Sequence, residues 1–383
     1  MTSLQKSVFS RRQILQHASL LTAGAAAPNW AQPRKSVASS HSIIVAQVVD
    51  FSPAQQDVSK DFLIGSRAAW QDINARGGIR GRPVQHLALE TDGTPASLRT
   101  ALNSVKDNSS CLALSGSVGD QIASQVVALS RQGEINIAHA APWLQNSSLE
   151  IDDKTFPIFA ARQQQIAYAL KTLSVMGLKE VGAIYGTAQD HTAYHVELER
   201  IAAGMHLRLK SFHGLWDLRL LSQKLSASTP AVLLFVGGTP ELAEFTKGLE
   251  KQARQRYIVA LADVNLQTLL QMGAARHTPV IATQPVPLVK SNLPIVRNYR
   301  ETLSRLFDEP PTPLGMAGFI AARFTYEVLN EAEVPLTRQS ALAAFQRRAS
   351  LDIGGFRVSF NAQRRSGSYV TQSMMTVDGR VIG

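Results

Sequence analysis

The stretch that most constrains this chain runs from Ile43 to Asp92. It opens on IIVAQVVDFSP, a β-rich apolar run of the kind buried on both faces of a parallel sheet. Phe62, Ser66, Ala69 and Ile73 then recur at helical spacing, and Gly77-Gly78 stand where a helix C-cap glycine belongs. RPVQHLALETD follows, with Gln85, Leu87 and Leu89 on one face of a second strand. Strand, helix and strand within about fifty residues make a βαβ unit, which closes right-handed. Whatever such a unit handles sits beyond the carboxyl end of its first strand, which makes Phe51 and Ser52 candidate site residues.

The alternation continues. Thr94-Pro95 opens a helix with Leu98, Leu102 and Val105 on its apolar face, and the strand CLALS follows. Asp120 can cap the next helix, and the strand INIAHA ends at Ala141-Pro142. A proline-containing connection over Phe156–Arg162 precedes a second series of helices and strands: VGAIY, RLKSF, AVLLFV and YIVAL. PVIATQPVP reads as a second proline-bounded crossing, and three helical segments follow it. The tail GGFRVSF and SMMTV reads as a hairpin across the polar turn NAQRRSGS. A chain of 383 residues is long for one core, so the pattern predicts two doubly wound lobes.

The N-terminus reads as an address, not a fold. Ser10-Arg11-Arg12-Gln13-Ile14-Leu15 has the twin-arginine pattern, ASLLTAGAAA follows, and Ala31 offers a small residue before a cut. Residues 1–31 are therefore expected to direct export to the periplasm and to be removed. Losing Lys6, Arg11 and Arg12 lowers the formal charge from +10 to +7. The remaining bases are scattered and not interleaved with aromatics, so nucleic acid is not an expected partner. The lone cysteine, Cys111, lies in an apolar run and reads as a buried thiol.

DINARGGIRGRPV, with GSRAAW before it, resembles the first-lobe signature of the type I periplasmic solute-binding proteins. These are the leucine/isoleucine/valine-binding family that serves ABC importers. LALSGSVGD, INIAHAAP, KEVGAIYG, LLFVGGTPEL, GFIAARFTYEVL and DIGGFRVSF follow in the family's order, so the resemblance covers about residues 42–383. It implies two Rossmann-like α/β lobes joined by three crossings: 42–161 with 285–350, and 162–284 with 351–383. It also implies a solute cleft that closes by hinge motion, an ABC permease as partner, a monomer, and no cofactor.

Carried over residue by residue, the resemblance points to Ser117, Val118, Gly119, Asp120 and Gln121 after the third strand, and to Ala140, Ala141 and Pro142 after the fourth; Trp143, just beyond Pro142, reads from the residues alone as either a cleft aromatic or simple packing. In the second lobe the resemblance points to Asp190, His191, Gly238 and Asp263. Pro142 stands where amino-acid binders carry threonine, and Asp190-His191 where many members have tyrosine and glycine. Asp120, Asp190 and Asp263 together suggest an acidic cleft for an amino acid or amine-like solute, unless Asp120 is only a cap and the others solvated acids. The alternative ligand is an amide or aromatic acid held by backbone N–H groups.

Enzymatic chemistry finds little support. Ser115-Gly116-Ser117-Val118-Gly119 lacks the first glycine of a nucleophile elbow. His191, His195 and Glu199 recur every four residues, but without HExxH or a fourth ligand they read as a solvated or capping face, not a metal site. A transport receptor is the leading expectation; a ligand-sensing regulatory subunit on the same scaffold and a periplasmic hydrolase are the alternatives.

Overall fold

The computed structural model describes residues 42–382 apart from 214–215, 276, 368 and 377–379; the expected export signal lies outside them. β1 (Ile43–Asp50), α1 (Gln56–Ala75), β2 (Val84–Thr91), α2 (Pro95–Lys106), β3 (Cys111–Ser115), α3 (Asp120–Arg131), β4 (Ala138–Ala140) and β5 (Thr155–Phe156) build a parallel sheet of order β2-β1-β3-β4-β5. β1 is buried almost throughout because helices cover both faces, as its unbroken apolar run requires.

The second sheet repeats this order. α4 (Arg162–Val175), β6 (Glu180–Tyr185), α5 (Ala188–Gly204), β7 (Arg208–Phe212), α6 (Leu218–Gln223), β8 (Val232–Val236), α7 (Thr239–Leu249), β9 (Tyr257–Ala260), α8 (Leu266–Gln271) and β10 (Val280–Gln284) give the parallel order β7-β6-β8-β9-β10. Each sheet therefore has a topological switch point, between β1 and β3 and between β6 and β8, with its crevice beyond the strands' carboxyl ends.

α9 (Pro294–Leu306), α10 (Pro313–Asn330) and α11 (Arg338–Gln346) return to the core of the first sheet, where Val296, Tyr299, Phe319 and Phe345 are buried. α10 lies close against α1. A Cβ added at Gly65 would stand 1.7 Å from the Gly315 oxygen, and one at Gly318 would stand 1.9 Å from the Phe62 oxygen. Only glycine permits so close an approach of two helix backbones. Ser66 Oγ donates to the Gly318 oxygen across the seam at 3.2 Å.

Two expectations are corrected by strand pairing. PVIATQ is a strand inside the second sheet, β10, paired with β9 on one side. The chain end is not one hairpin: β11 (Leu351–Ile353) pairs with β12 (Phe356–Val358) around Gly354-Gly355. Ile353, Phe356 and Val358 join the core of the first sheet, so this hairpin does not belong with the second lobe, where the sequence reading put it. β13 (Thr371–Met375) and β14 (Val381–Ile382) then add two antiparallel strands to the second sheet beside β10. Among the described residues the chain passes between the two sheets three times, and no helix is long and apolar enough to cross a membrane.

Candidate functional site

The loops at the carboxyl ends of the two sheets meet. Thr239 Oγ1, at the start of α7, donates to Asp57 Oδ2 in α1 at 2.7 Å. Asn265 Nδ2, capping α8, donates to Asp61 Oδ2 at 3.1 Å. Asp57 and Asp61 lie one turn apart on α1, so a single helix face of the first lobe holds the second. Burial raises both carboxyl pKa values, although Thr239 and Asn265 among other partners pull them back.

A further link between the lobes runs through Arg162, the first residue of α4. Its Nε and NH2 each stand 2.8 Å from Asp263 Oδ2, its NH1 is 3.7 Å from Asp120 Oδ2, and NH1 donates to Tyr194 Oη at 2.7 Å. Asp263 is 3 % exposed and Arg162 9 %, so the pair is largely dry. Desolvation alone would lower the Arg162 pKa; Asp263 and then Asp120 outweigh it and hold the group well above its ordinary value. Burial pushes the Asp120 carboxyl up, against the pull of Arg162.

Asp120 does not cap α3, as the sequence suggested. Gly119, at φ 102°, occupies that position, and Asp120 follows it as the first helical residue. Its Oδ1 accepts from the backbone N–H groups of Gln145 at 2.8 Å and Asn146 at 3.0 Å, tying the loop after β4 to the start of α3. The pairing with Arg162 also corrects the acidic-cleft expectation: Asp120 and Asp263 already face an internal cation. Asp190 lies in the first turn of α5, where its carboxylate accepts from Thr187 Oγ1 at 2.8 Å; burial raises its pKa, against the pull of Arg162.

The other expected residues divide into four groups. Ser117, Val118, Gly119, Ala141, Pro142 and Trp143 are buried in the turns after β3 and β4, Ala140 is buried as the last residue of β4, and Trp143 N donates to the Ser117 oxygen at 2.8 Å. Phe51 and Ser52 are half-buried after β1, and Gly238 caps α7 opposite them, a Cβ there standing 3.9 Å from the Ala54 oxygen. Gln121 is exposed on α3. His191 belongs to a separate stack, 4.4 Å from the His195 ring and 4.5 Å from the His213 ring. Among the described residues no group of three His, Cys, Asp or Glu side chains could hold a metal ion.

Sequence reasoning missed several residues that organise this region. Arg162 was read only as the end of a connection; its signal was a lone guanidinium closing the small, apolar run FAAR. Gln165 was not singled out, yet its Nε2 donates to Gln145 Oε1 at 2.6 Å while its Oε1 accepts from Ala262 N at 2.9 Å and Thr283 Oγ1 at 3.1 Å. One amide thus ties the first passage between sheets to the loop after β9 and to β10. Ser117 Oγ, Trp143 Nε1, Gln145 Nε2, Asp263 Oδ1 and Gln284 Oε1 are buried and have no hydrogen-bond partner among the described residues.

The fold and its facing loops define a two-lobed binding protein, and comparison agrees. Residues 42–378 match the family model described as periplasmic binding protein, and the chain belongs to this family, in its type I fold. The extracellular ligand-binding receptor of Verminephrobacter eiseniae superimposes with a TM-score of 0.80 at 18 % identity, over 89 % of this chain and 100 % of that one. A possible leucine/isoleucine/valine-binding protein of Rhodopirellula baltica gives 0.76 at 18 %, over 89 % and 96 %. A fatty acid ABC transporter substrate-binding protein of Thermomonospora curvata gives 0.75 at 14 %, over 89 % and 90 %. No curated protein matches the chain.

Proposed function

We propose that this protein is the substrate-binding component of an ABC importer, which captures a small solute between its lobes, closes on it and presents it to a membrane permease. The observation that carries the reading is a pair of unpartnered buried polar atoms lining one interlobe cavity: Trp143 Nε1 beside the first sheet and Gln284 Oε1 beside the second. A buried donor or acceptor without a partner costs about 1–3 kcal/mol. A solute that supplies partners on both sides therefore favours the closed arrangement, which is how ligand binding couples to closure.

In this reading the lobes are residues 42–161 with 285–358 and residues 162–284 with 371–382, hinged where the chain passes between the sheets. Trp143 and Gln284 touch the solute, while Ser117 and Asp263 support the loops around it. Phe51, Ser52, Val118, Gly119, Ala140, Ala141, Pro142 and Gly238 shape the cleft with backbone and walls, and Gln121, Asp190 and His191 lie at its margins. Residues 1–31 direct export, and the mature protein works in the periplasm as a monomer without catalysis. The test is mass spectrometry of protein purified natively, with X-ray scattering before and after the released small molecule is returned. A stoichiometric solute that contracts the particle is the expected result. Protein that carries none, and whose dimensions respond to no member of a broad solute library, would refute the reading.

A further inference from the structure

We infer that the solute is a small apolar carboxylate, with its hydrocarbon part in the cavity beside Trp143 and its charged head at Lys290 and Arg300. This deepens the receptor reading above and rests on it. The cavity holds about 270 Å³ and is bounded by Trp143 and Leu314 on one side, by Val264 and Leu266 on the other, and by Val286 and Ile382. Elements of both sheets and one passage between them thus form its walls, so an occupant touches both lobes at once.

Three features set the chemistry of that occupant. The walls are mainly aliphatic and aromatic, which suits a hydrocarbon. Among the described residues no acid lines the cavity, and its charged side chains are Lys290 and Arg300. Lys290 Nζ donates to the Val381 oxygen at 3.2 Å and Arg300 NH1 to the Val289 oxygen at 3.3 Å, and neither cation is ion-paired among the described residues. Two bases answered only by backbone carbonyls retain the capacity to bind an anion. Two buried lining groups also keep an unpaired atom, the Trp143 indole N–H and Gln284 Oε1. Gln284 Nε2 lies 2.5 Å from Ser373 Oγ. Because a hydroxyl both donates and accepts, the amide can turn to offer the solute either its N–H or its oxygen.

The surroundings argue against a cation at this place. The neighbouring interlobe cavity, about 430 Å³, carries Asp57, Asp61 and Glu309 and would repel a carboxylate. Asp120 and Asp263, the acids that would draw an ammonium group, face Arg162 and do not line the Trp143 cavity.

The test follows thermal shift and tryptophan fluorescence of the mature protein with benzoate, octanoate, benzyl alcohol, leucine and putrescine, on native protein and on Lys290→Gln/Arg300→Gln and Trp143→Phe. Benzoate or octanoate is expected to raise the melting temperature and change the fluorescence, whereas benzyl alcohol, leucine and putrescine are not. The double charge variant, which changes an exposed (Lys290) and a half-buried (Arg300) side chain, should keep its unliganded melting temperature and lose at least tenfold in carboxylate affinity. Trp143→Phe should weaken binding and remove most of the fluorescence change. Binding of leucine or putrescine without the carboxylates would overturn the inference and leave the receptor reading standing. Carboxylate binding untouched by both variants would overturn the assigned cavity. No response to any probe, with no small molecule on native protein, would sink both readings together.

Discussion

Arg162 places two of its nitrogens 2.8 Å from the same oxygen of Asp263, joining the start of α4 to the loop after β9. Asp120 brings the first lobe into the same cluster at 3.7 Å. Breaking one side of a buried ion pair strands the other charge, which costs about 3–5 kcal/mol. Arg162→Met should therefore lose about that much in urea unfolding. Arg162→Met combined with Asp263→Leu should recover part of it, because no stranded acid remains at that position. Equal destabilisation by the single and double variants would show that the pair contributes nothing as a pair.

The seam between α1 and α10 gives a sharper contrast. Gly65→Ala would bring a methyl within 1.7 Å of the Gly315 oxygen, so the helices must separate. A loss of about 1–3 kcal/mol or more is expected from such overpacking. Gly204→Ala, at the end of α5, meets nothing within 4 Å and should gain up to about 1 kcal/mol from helix propensity. Denaturant midpoints of the two variants should move in opposite directions.

His139 sits in β4, 1 % exposed, with both ring nitrogens unpartnered. Burial pushes its pKa down to about 4 from 6.5. Between those values the unfolded chain binds a proton that the folded chain refuses, so stability is full above pH 6.5 and declines as pH falls toward 4. The shift corresponds to about 3 kcal/mol over the whole window. Unfolding free energies of native protein and His139→Leu, measured from pH 7 to 4, should show a steeper acid decline in the native protein. Parallel pH profiles would remove His139 from this role.

The Thr239–Asp57 hydrogen bond is available only when the lobes meet. A hydrogen bond to a charged group contributes about 1.5–3 kcal/mol. Thr239→Val should therefore shift the balance toward the open form and weaken solute affinity by roughly tenfold to a hundredfold, since only the closed fraction binds fully. Scattering should report a larger unliganded particle than native protein. An unchanged particle and affinity would mean that the contact does not govern closure.

Much of this architecture was legible in the residues. The unbroken apolar run of β1, the helical spacing of Phe62 to Ile73 and the repeated strand–helix alternation specify two doubly wound sheets, because each signal is local. What was not legible depends on partners far away in the chain. FRV could pair with LDI or with SMM, and only the two glycines at positive φ between LDI and FRV decide for the tight hairpin. PVIATQ carries prolines nearby that read as a boundary, although the strand itself lies deep in the second sheet. Arg162 shows the same limit in the site. Its charge is visible in the sequence, but its two carboxylates come from residues 42 positions earlier and 101 later, and no local pattern announces that meeting.

Val381 and Ile382 form a two-residue edge strand and also part of the wall of the Trp143 cavity. The outermost strand of the second sheet is therefore a stave of the solute compartment as well as trim. Shaving off residues 380–383 would let water into the compartment while leaving both sheet interiors whole, so a fusion partner or purification handle belongs ahead of β1.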